Sequence, residues 1–403
     1  MQTSLSDALK DTPEGREADA ILRSCVHCGF CTATCPTYQL LGDELDGPRG
    51  RIYLIKQVLE GGPVTAKTQL HLDRCLTCRS CETTCPSGVR YGRLVDIGRA
   101  VVEEKVPRSL AERMQRGVLR ALIPYPRRFA VLLRIGRALR PLLPAVVRKK
   151  IPAVQPATAW PVVRHPRKML VLDGCVQPAA APATNAVAAR VLDRLGVSLI
   201  RAEDAGCCGA LSHHLSAHDE ARNFMRRNID AWWPHIEAGA EAIVMTASGC
   251  GVVVKDYGAL LHDDPAYAVK AAHISGLTKD LGEILSAEEV ETLAVNGRGR
   301  KVAFHAPCTL QHGQQVNGVV EGLLRRCGYQ LTAVADGHLC CGSAGTYSLL
   351  QPELSRQLLT NKLTALQAGV PDFIVTANIG CQLHLQSGAA VQVRHWVELL
   401  DGS

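Results

Sequence analysis

Two short cysteine-rich runs limit what this chain can fold into more than any other feature. Residues 25–36 read CVHCGFCTATCP and residues 75–86 read CLTCRSCETTCP, so both follow the spacing C-x2-C-x2-C-x3-C-P. A structural zinc site commonly takes two C-x2-C pairs with a long loop between them, because one tight turn reaches only two corners of a tetrahedron. Three thiolates on one short loop, with a fourth supplied from a distance, instead fit a cubane iron–sulfur cluster.

This spacing also predicts how the ligands are shared. In two-cluster proteins with this run, the fourth cysteine binds the other cluster. We therefore predict two [4Fe–4S] clusters that exchange their fourth ligands. The predicted ligands are Cys25, Cys28, Cys31 and Cys85 for the first cluster, and Cys75, Cys78, Cys81 and Cys35 for the second. Structural zinc or unpaired buried thiols are the alternative interpretation of both runs.

Three features near the runs are candidates for hydrogen bonds to the cluster sulfurs. These are the hydroxyls of Thr34 and Ser80 and the backbone amides of GPRGR at 47–51, a tight turn before a helix. An ordinary surface or turn role is the alternative for each of them.

The start of the chain and its cysteine content indicate a compartment. No basic stretch followed by an apolar run opens the sequence, and no uninterrupted apolar segment of about 18 residues occurs in it. We therefore expect an intracellular protein that is not integral to a membrane. In a reducing cytosol, 17 cysteines favour metal binding or redox chemistry over disulfides.

Positive charge is concentrated in one segment, residues 105–150, which holds thirteen Lys/Arg and one acid, Glu112. Apolar residues alternate with Arg in RRFAVLLRIGRALRPLLP, a composition typical of an interfacial helix that meets anionic lipid headgroups. A solvated basic helix pair or a partner contact is the alternative. Nucleic acid is not an expected partner, because few aromatic residues are available for base stacking. Four prolines at 152, 156, 161 and 166 then indicate a linker.

From residue 168 onward the chain is a duplicated unit with an offset of 133 residues. KMLVLDGC matches KVAFHAPC, DAGCCGALSHH matches HLCCGSAGTYS, and AIVMTASGC matches FIVTANIGC. Short β-branched runs (MLVLD, IVMT, VAF, FIVT) alternate with helical segments that end in glycine (NAVAARVLDRLG, NGVVEGLLRRCG), which predicts two α/β units. In such sheets ligands gather beyond the carboxyl ends of the strands, where the cysteines of each half would lie.

Each half offers four thiols at matching positions. They are Cys175, Cys207, Cys208 and Cys250 in the first half, and Cys308, Cys340, Cys341 and Cys381 in the second. A further iron–sulfur or zinc centre in each half is one hypothesis; structural thiols lining a substrate or quinone pocket are the other, since spacing alone does not name the metal. We expect Gly209 and Gly342, which follow the cysteine pairs, to let the backbone approach a bulky ligand.

Several residues near these thiols carry separate expectations. Cys327 falls outside the pattern and is expected to be a packed core residue. His305, His312, His338 and His384 lie near the cysteines in sequence. His384 could supply a nitrogen ligand, although a non-ligand role is the expected one.

The chain resembles a known family over essentially its whole length, the iron–sulfur subunits of bacterial glycolate oxidase (glycolate dehydrogenase). The runs that carry the resemblance are CVHCGFCTATCPTYQLLGDELDGPRGRIYLIKQVLEG, DRCLTCRSCETTCPSGV, TASGCG, HLCCGSAGTY and TANIGCQ. The resemblance implies a multidomain α and α/β fold, with a helical ferredoxin-like domain followed by two duplicated cysteine-rich domains of the CCG type. It also implies a complex with flavin-binding subunits that oxidise glycolate to glyoxylate.

One departure concerns the wider CCG family. Members that resemble heterodisulfide reductase end each half with C-x2-C, but here Ala247 and Val253 flank Cys250, and Asn378 and His384 flank Cys381. Five thiols per half are reduced to four, which puts the non-cubane clusters of those relatives in doubt.

With these observations we predict four regions. Residues 1–104 form the helical domain with two clusters, 105–167 the basic segment and linker, 168–290 the first CCG domain and 300–403 the second. The chain has no G-x-G-x-x-G turn, P-loop or clear catalytic triad, so we expect FAD only on partner subunits and no catalytic residue here.

The expected function is electron transfer from a partner's flavin to a quinone-type acceptor, by an oxidoreductase subunit that does not oxidise glycolate alone. The expected location is cytoplasmic, peripheral on the inner membrane. The alternatives are an iron–sulfur subunit of a lactate or glycerol-3-phosphate dehydrogenase, a self-contained heterodisulfide-reductase-like enzyme, and a zinc-stapled scaffold.

Overall fold

The structure, a computed structural model, describes residues 1–155, 158–295 and 297–401. Pro156 of the predicted linker and residues 402–403 of the predicted second CCG domain lie outside the described residues. Contacts divide the chain into two compact units. The first comprises Met1–Gly117 and His338–Leu358, and the second comprises Val118–Gly337 and Leu359–Ser403. The four regions predicted above remain predictions, and residues 338–358 of the second repeat belong to the same compact unit as the N-terminal region.

The N-terminal part of the first unit is helical in its described residues. Its helices are α1 (Pro13–Ser24), α2 (Pro36–Leu41), α3 (Pro48–Leu59), α4 (Ala66–Asp73), α5 (Ser80–Thr84) and α6 (Tyr91–Lys105), with 3-10 turns at Phe30–Thr32 and Glu44–Asp46. Helix α1 begins where the Thr12 side chain accepts a hydrogen bond from the amide of Gly15 and a proline occupies the first turn. The run RIYLIKQVLEGG forms most of α3, as predicted, and the chain leaves it through Gly61 at a φ of 85°.

A single apolar core holds these helices together. It includes Leu22 of α1, Ile55 of α3, Leu72 of α4 and Leu94 of α6, all almost fully buried. Helices α3 and α6 approach closely at Gly98, where a Cβ atom would lie 2.6 Å from the Ile55 side chain. Cysteines of both runs belong to this core, so its packing holds both loops in place.

Three helices follow in the basic segment, namely α7 (Leu110–Leu122), α8 (Pro126–Ala138) and α9 (Ala145–Lys150), with a 3-10 turn at Arg140–Leu142. Helix α7 buries none of its residues and α8 buries only Leu133. Throughout the part of the chain that the structure describes, no helix combines the length and apolar character needed to cross a bilayer.

The second unit contains the first predicted α/β repeat and most of the second. The first repeat runs β1 (Arg167–Val171), α10 (Gln177–Ala180), α11 (Ala183–Arg194), β2 (Val197–Arg201), α12 (Ala210–His214), α13 (His218–Glu237), β3 (Ile243–Met245), α14 (Ser248–Lys255), α15 (Tyr257–Leu260), α16 (Ala268–Leu277), β4 (Thr278–Asp280) and α17 (Leu281–Ser286), with a 3-10 turn at Val290–Leu293.

The second repeat runs β5 (Lys301–His305), a π-helical turn (Thr309–Gly313), α18 (Val319–Arg326), β6 (Gln330–Leu331), α19 (Tyr347–Leu350), α20 (Pro352–Gln367), β7 (Phe373–Thr376), α21 (Ile379–Gln386) and β8 (Val393–His395), with a 3-10 turn at Trp396–Leu400. Helix α19 and the start of α20 belong to the first compact unit.

Both repeats build a parallel four-stranded sheet with the same strand order. The order is β2-β1-β3-β4 in the first repeat and β6-β5-β7-β8 in the second. The predicted strands and helices of the duplication are confirmed, and the parallel order places the carboxyl ends of each sheet's strands at one edge. Val244 of β3 and Val302 of β5 belong to the same apolar core, which the two sheets of this unit share.

Candidate metal centres

The two N-terminal cysteine loops have positive φ angles at the same two positions. His27 and Gly29 in the first loop, and Thr77 and Arg79 in the second, have φ between 52° and 85°. A non-glycine residue with positive φ costs roughly 1–3 kcal/mol, so its occurrence in both loops indicates a functional constraint. Successive turns of this kind point backbone amides to one side and form a concave anion-binding surface, as at many iron–sulfur sites.

The first predicted ligand set surrounds one open cavity, which Cys81 of the second set also lines. Cys25, Cys28, Cys31 and Cys85 all line it. Burial raises the pKa of Cys31 to about 11, with further increases from the neighbouring sulfurs of Cys25, Cys85 and Cys28. Three of these thiols come from one loop and the fourth from the other run.

The second predicted set surrounds an adjacent open cavity. Cys35, Cys75, Cys78 and Cys81 line it. Burial raises the pKa of Cys81 well above its usual value, and Cys78, Cys75 and Cys35 are among the neighbouring charges that raise it further. The backbone amide of Thr77 donates a hydrogen bond to the Cys75 sulfur at 3.3 Å.

The donor sets fit [4Fe–4S] clusters. All four cysteines of each predicted set line one cavity, and their loops carry the positive-φ residues that are typical of anion-binding iron–sulfur sites. The structure thus brings together the residues of each predicted set, including the exchanged fourth cysteines.

Sequence reasoning missed two residues that contact the second set. The hydroxyl of Tyr91 donates a hydrogen bond to the Cys75 sulfur at 3.6 Å, and the side chain lines both cavities. Arg51 lines the second cavity and is only 1% exposed. Neither residue lies inside a cysteine run, so the spacing of the cysteines could not indicate that they contact the second set.

The three candidate hydrogen-bonding features take different positions. The Thr34 hydroxyl donates to the carbonyl of Ser80 at 3.3 Å, so the observed bond is not to a sulfur. The Ser80 hydroxyl is buried and has no hydrogen-bond partner among the described residues. GPRGR forms the start of α3: Gly47 is the N-cap without a side-chain cap, and Pro48 lines both cavities.

The four thiols of the first CCG repeat lie in one continuous chain of contacts. Hydrogen bonds join Cys175 to Cys207, Cys207 to Cys208, and Cys208 to Cys250. The hydrogen bond with Cys207, together with burial, raises the pKa of Cys175 well above its usual value. The cysteine pair follows β2 and Cys250 lies in α14 after β3, so the thiols meet at the carboxyl edge of the sheet.

The second repeat distributes its thiols differently. Cys308 and Cys381 belong to the second compact unit, whereas Cys340 and Cys341 belong to the first. All four are buried. The amide of Asn378 donates a hydrogen bond to the Cys381 sulfur at 3.4 Å, at a position where the heterodisulfide-reductase-like pattern has a fifth cysteine.

The glycines after the cysteine pairs lie close to the backbone of a neighbouring helix. Gly209 and Gly342 both have φ of 88°, and a Cβ atom would lie 2.9 Å from the carbonyl oxygen of Ala221 and 2.7 Å from that of Ser355, respectively. The absence of a side chain therefore permits this close approach to the following helix, and the approach of a ligand stays a prediction. Each glycine amide donates to the sulfur of the first cysteine of its pair, at 3.5 and 3.4 Å.

The remaining candidates are accounted for as follows. Cys327 is 3% exposed and belongs to the shared apolar core, as predicted. His305 is fully buried at the end of β5, which lowers its pKa well below the usual value, and neither ring nitrogen has a hydrogen-bond partner among the described residues. The nearby charge of His384 contributes to lowering the pKa of His305. The sequence feature that could have indicated this burial is the position of His305 at the end of a buried strand.

Comparison with known proteins agrees with this organisation. The model of the 4Fe-4S dicluster domain matches residues 21–89, and that of the CCG cysteine-rich domain matches 169–255 and 302–386. The glycolate oxidase iron-sulfur subunit of Escherichia coli (strain K12) is 60% identical over 402 residues, which cover 100% of this chain and 98% of that protein.

Two further relatives are more distant. The probable glycolate oxidase iron-sulfur subunit of Bacillus subtilis (strain 168) is 29% identical over 398 residues, covering 91% of this chain and 89% of that protein. Lactate utilization protein A of Geobacillus kaustophilus (strain HTA426) is 26% identical over 221 residues, covering 52% of this chain and 89% of that protein.

Proposed function

Because the chain belongs to the family of glycolate oxidase iron-sulfur subunits, we propose that it transfers electrons in a glycolate-oxidising complex, from a flavin on partner subunits to a quinone-type acceptor. The observation that carries this proposal is the gathering of eight N-terminal cysteines into two sets of four around two adjacent cavities. We propose Cys25, Cys28, Cys31 and Cys85 as ligands of one [4Fe–4S] cluster, and Cys75, Cys78, Cys81 and Cys35 as ligands of the other.

Clusters of this kind, when bound, accept and release single electrons. The protein's own contribution is to hold the two sites side by side and to exclude water between them. Cys81, Pro48 and Tyr91 line both cavities and form their common wall. Oxidation of a 2-hydroxy acid also needs a hydride acceptor, which this chain has no flavin-binding motif to hold. We therefore place the FAD on partner subunits and do not expect this subunit to oxidise glycolate alone.

A further centre in the first CCG repeat is part of the proposal. Cys175, Cys207, Cys208 and Cys250 offer four sulfurs in one chain of neighbouring pairs, a donor set that suits iron–sulfur or zinc. For the second repeat we propose the same role for Cys308, Cys340, Cys341 and Cys381 on the basis of the duplication.

Peripheral binding to an anionic membrane surface is supported by α8 and the turn after it. Val131, Leu132, Ile135, Leu139 and Leu142 are exposed apolar residues there. The sequence from 113 to 172 contains no Asp or Glu, and Arg127, Arg128, Arg134, Arg140, Arg148, Lys149 and Lys150 are exposed cations within it. Apolar side chains bordered by cations alone favour a surface of anionic headgroups over a mixed-charge protein surface.

Complementation tests the proposed function. The chain would be expressed in an Escherichia coli strain that lacks its own glycolate oxidase iron-sulfur subunit, and growth on glycolate would be measured. We expect growth to be restored by the wild type and by Cys327→Ser, whose sulfur lies in the apolar core, but not by Cys28→Ala. Growth on lactate but not on glycolate, in a strain lacking lactate oxidation, would favour the lactate alternative, which the similarity to lactate utilization protein A supports.

A further inference from the structure

The two cluster-binding loops are copies in sequence and backbone, yet they differ in exposure. In the first loop Val26 is 67% and Phe30 is 62% exposed. Their counterparts in the second loop, Leu76 and Ser80, are 7% and 1% exposed. An electron donor can therefore approach the first site much more closely than the second, and electron tunnelling weakens steeply with distance.

The second site has a buried polar surrounding that the first site lacks. Arg51 donates hydrogen bonds to the carbonyl of His71 at 2.7 Å, to the Thr37 hydroxyl at 3.1 Å and to the Asp46 carboxylate at 3.3 Å. Arg74 donates to the same carboxylate at 2.8 Å. Two guanidinium groups thus share one buried carboxylate, which leaves an excess of positive charge beside the second cavity.

Two other groups add to this effect. Arg99 donates to the carbonyl of Cys75 at 2.6 Å and to the Thr77 hydroxyl at 2.8 Å, which holds another cation against the second loop. The Tyr91 hydroxyl donates to the Cys75 sulfur. Glu82 acts in the opposite direction as a neighbouring negative charge on Cys81. The arginines described here, Arg51, Arg74 and Arg99, are three against the two acids Asp46 and Glu82.

The charges at the first site are more exposed. Arg49 lines the first cavity, is 38% exposed in its side chain and is paired with Glu44 at 2.6 Å. Water screens Arg49, whereas charges act about four times more strongly at a protein-like effective dielectric of ~20 than in water at ~80.

These differences in exposure, charge and hydrogen bonding affect the reduction potentials of clusters bound at the two sites. Positive charge and hydrogen bonds to sulfur stabilise the added electron and raise the potential of an iron–sulfur cluster. Water around the first site also raises the potential there. At the second site Arg51 is buried and Arg74 is 28% exposed, so water screens these charges less than it screens Arg49 at 38% exposure. On the basis of the proposed function, we infer that Tyr91 and the arginines around Asp46 give the second site the higher potential, so that electrons enter at the first site and pass to the second.

This transfer is balanced and changes no covalent bond. One electron leaves a reduced cluster at the first site and reduces an oxidised cluster at the second. The electron originates from the reduced flavin of the partner and leaves to the final acceptor. Tyr91 and Arg51 act as positioning residues in this scheme, because they adjust the potential without themselves being oxidised.

An anaerobic redox titration followed by electron paramagnetic resonance tests the inference. We expect two couples in the wild-type chain, and we expect Tyr91→Phe to shift the higher couple to a more negative potential while the lower couple and the iron content stay unchanged. Arg49→Gln is the matched control, and we expect it to shift only the lower couple, and by less. Cys28→Ala, which removes a ligand of the first site, should leave the higher couple.

Results that contradict the inferred order differ from results that contradict the proposed function. If Tyr91→Phe shifts the lower couple or neither couple, or if Cys28→Ala leaves the lower couple, the inferred order is wrong. Should Tyr91→Phe fail to incorporate iron, Arg74→Gln makes the same test, because it removes one cation from the second site at a partly exposed position. Absence of iron and of any resonance signal from the wild type would instead overturn the proposed function.

Discussion

The side-chain amide of Asn228 donates a hydrogen bond to the hydroxyl of Tyr257 at 3.1 Å, and together these residues hold the backbone of the Cys207–Cys208 pair. The same amide donates to the carbonyl of Cys207 at 2.9 Å, and Tyr257 donates to the carbonyl of Cys208 at 2.9 Å. Asn228 also accepts from the amide of Gly206 at 2.8 Å. Both side chains are fully buried, so no water can replace these bonds.

We predict that Tyr257→Phe lowers the free energy of unfolding by about 1–3 kcal/mol, because it leaves a buried carbonyl without this donor. Asn228→Ala should cost more, since it removes three bonds. Urea unfolding followed by tryptophan fluorescence measures both. Asn223→Ala, at an exposed position on the same helix, is the control and should change the stability by no more than about 0.5 kcal/mol. An Asn228→Ala variant as stable as Asn223→Ala would contradict the role given to this pair.

A second prediction concerns pH and His395, which ends β8. Burial lowers the pKa of His395 to about 4. Its Nε2 lies 2.8 Å from the carbonyl of Thr246, and its Nδ1 accepts a hydrogen bond from the amide of Val397 at 3.2 Å. Both contacts fit the neutral ring with the proton on Nε2, and a second proton on Nδ1 would oppose the amide of Val397.

Because the folded pKa lies below the unfolded value of about 6.5, this stability is present above pH 6.5 and is lost as pH falls toward 4. We expect the wild type to lose about 2 kcal/mol more than His395→Asn between pH 8 and pH 5. Urea unfolding at the two pH values measures the difference. Asn can still accept from the amide of Val397 but does not titrate. Equal losses in the two proteins would show that His395 is not the titrating group.

Much of the fold was predictable because it depends on local patterns. The period of apolar residues and the glycine stops gave the helices and strands of both repeats, and the matched cysteines gave the duplication. Cys327 was correctly assigned to the core because it lies at the end of a helical segment and outside the repeated cysteine pattern. These are properties of neighbouring residues, which a sequence displays directly.

What the sequence did not reveal depends on contacts between distant residues. Tyr91 reaches Cys75, and Arg51 reaches the carbonyl of His71, only after α3, α4 and α6 have packed. The close approach of a helix to each glycine of the CCG motifs is also a tertiary contact, which the sequence did not indicate. Likewise, nothing local to residues 338–358 indicated that they join the N-terminal unit.

The exchange of fourth ligands gives a third prediction. If Cys85 serves the first site, Cys85→Ala should abolish the same resonance signal as Cys28→Ala, and Cys35→Ala the same signal as Cys78→Ala. Iron and acid-labile sulfide should fall by about four atoms per chain in each case. Anaerobic purification with metal analysis and electron paramagnetic resonance measures these quantities. Cys327→Ser should keep the full iron content. Loss of the Cys78-dependent signal in Cys85→Ala, with the other retained, would show that each run binds its own cluster.

The last prediction concerns the exposed apolar face of α8. Ile135 is 51% exposed between cationic neighbours, so a glutamate there would lose apolar contact with lipid and meet anionic headgroups. We expect Ile135→Glu to weaken binding to phosphatidylglycerol-containing vesicles by about tenfold or more, which corresponds to about 1.4 kcal/mol. Vesicle co-sedimentation measures binding, and the wild-type affinity should fall as salt is raised. Val269→Glu, at an 83% exposed position on α16, is the matched control and should bind as the wild type does. Equal binding by both variants, or wild-type binding that is indifferent to anionic lipid, would mean that α8 does not contact the membrane and that its apolar face meets a partner subunit instead.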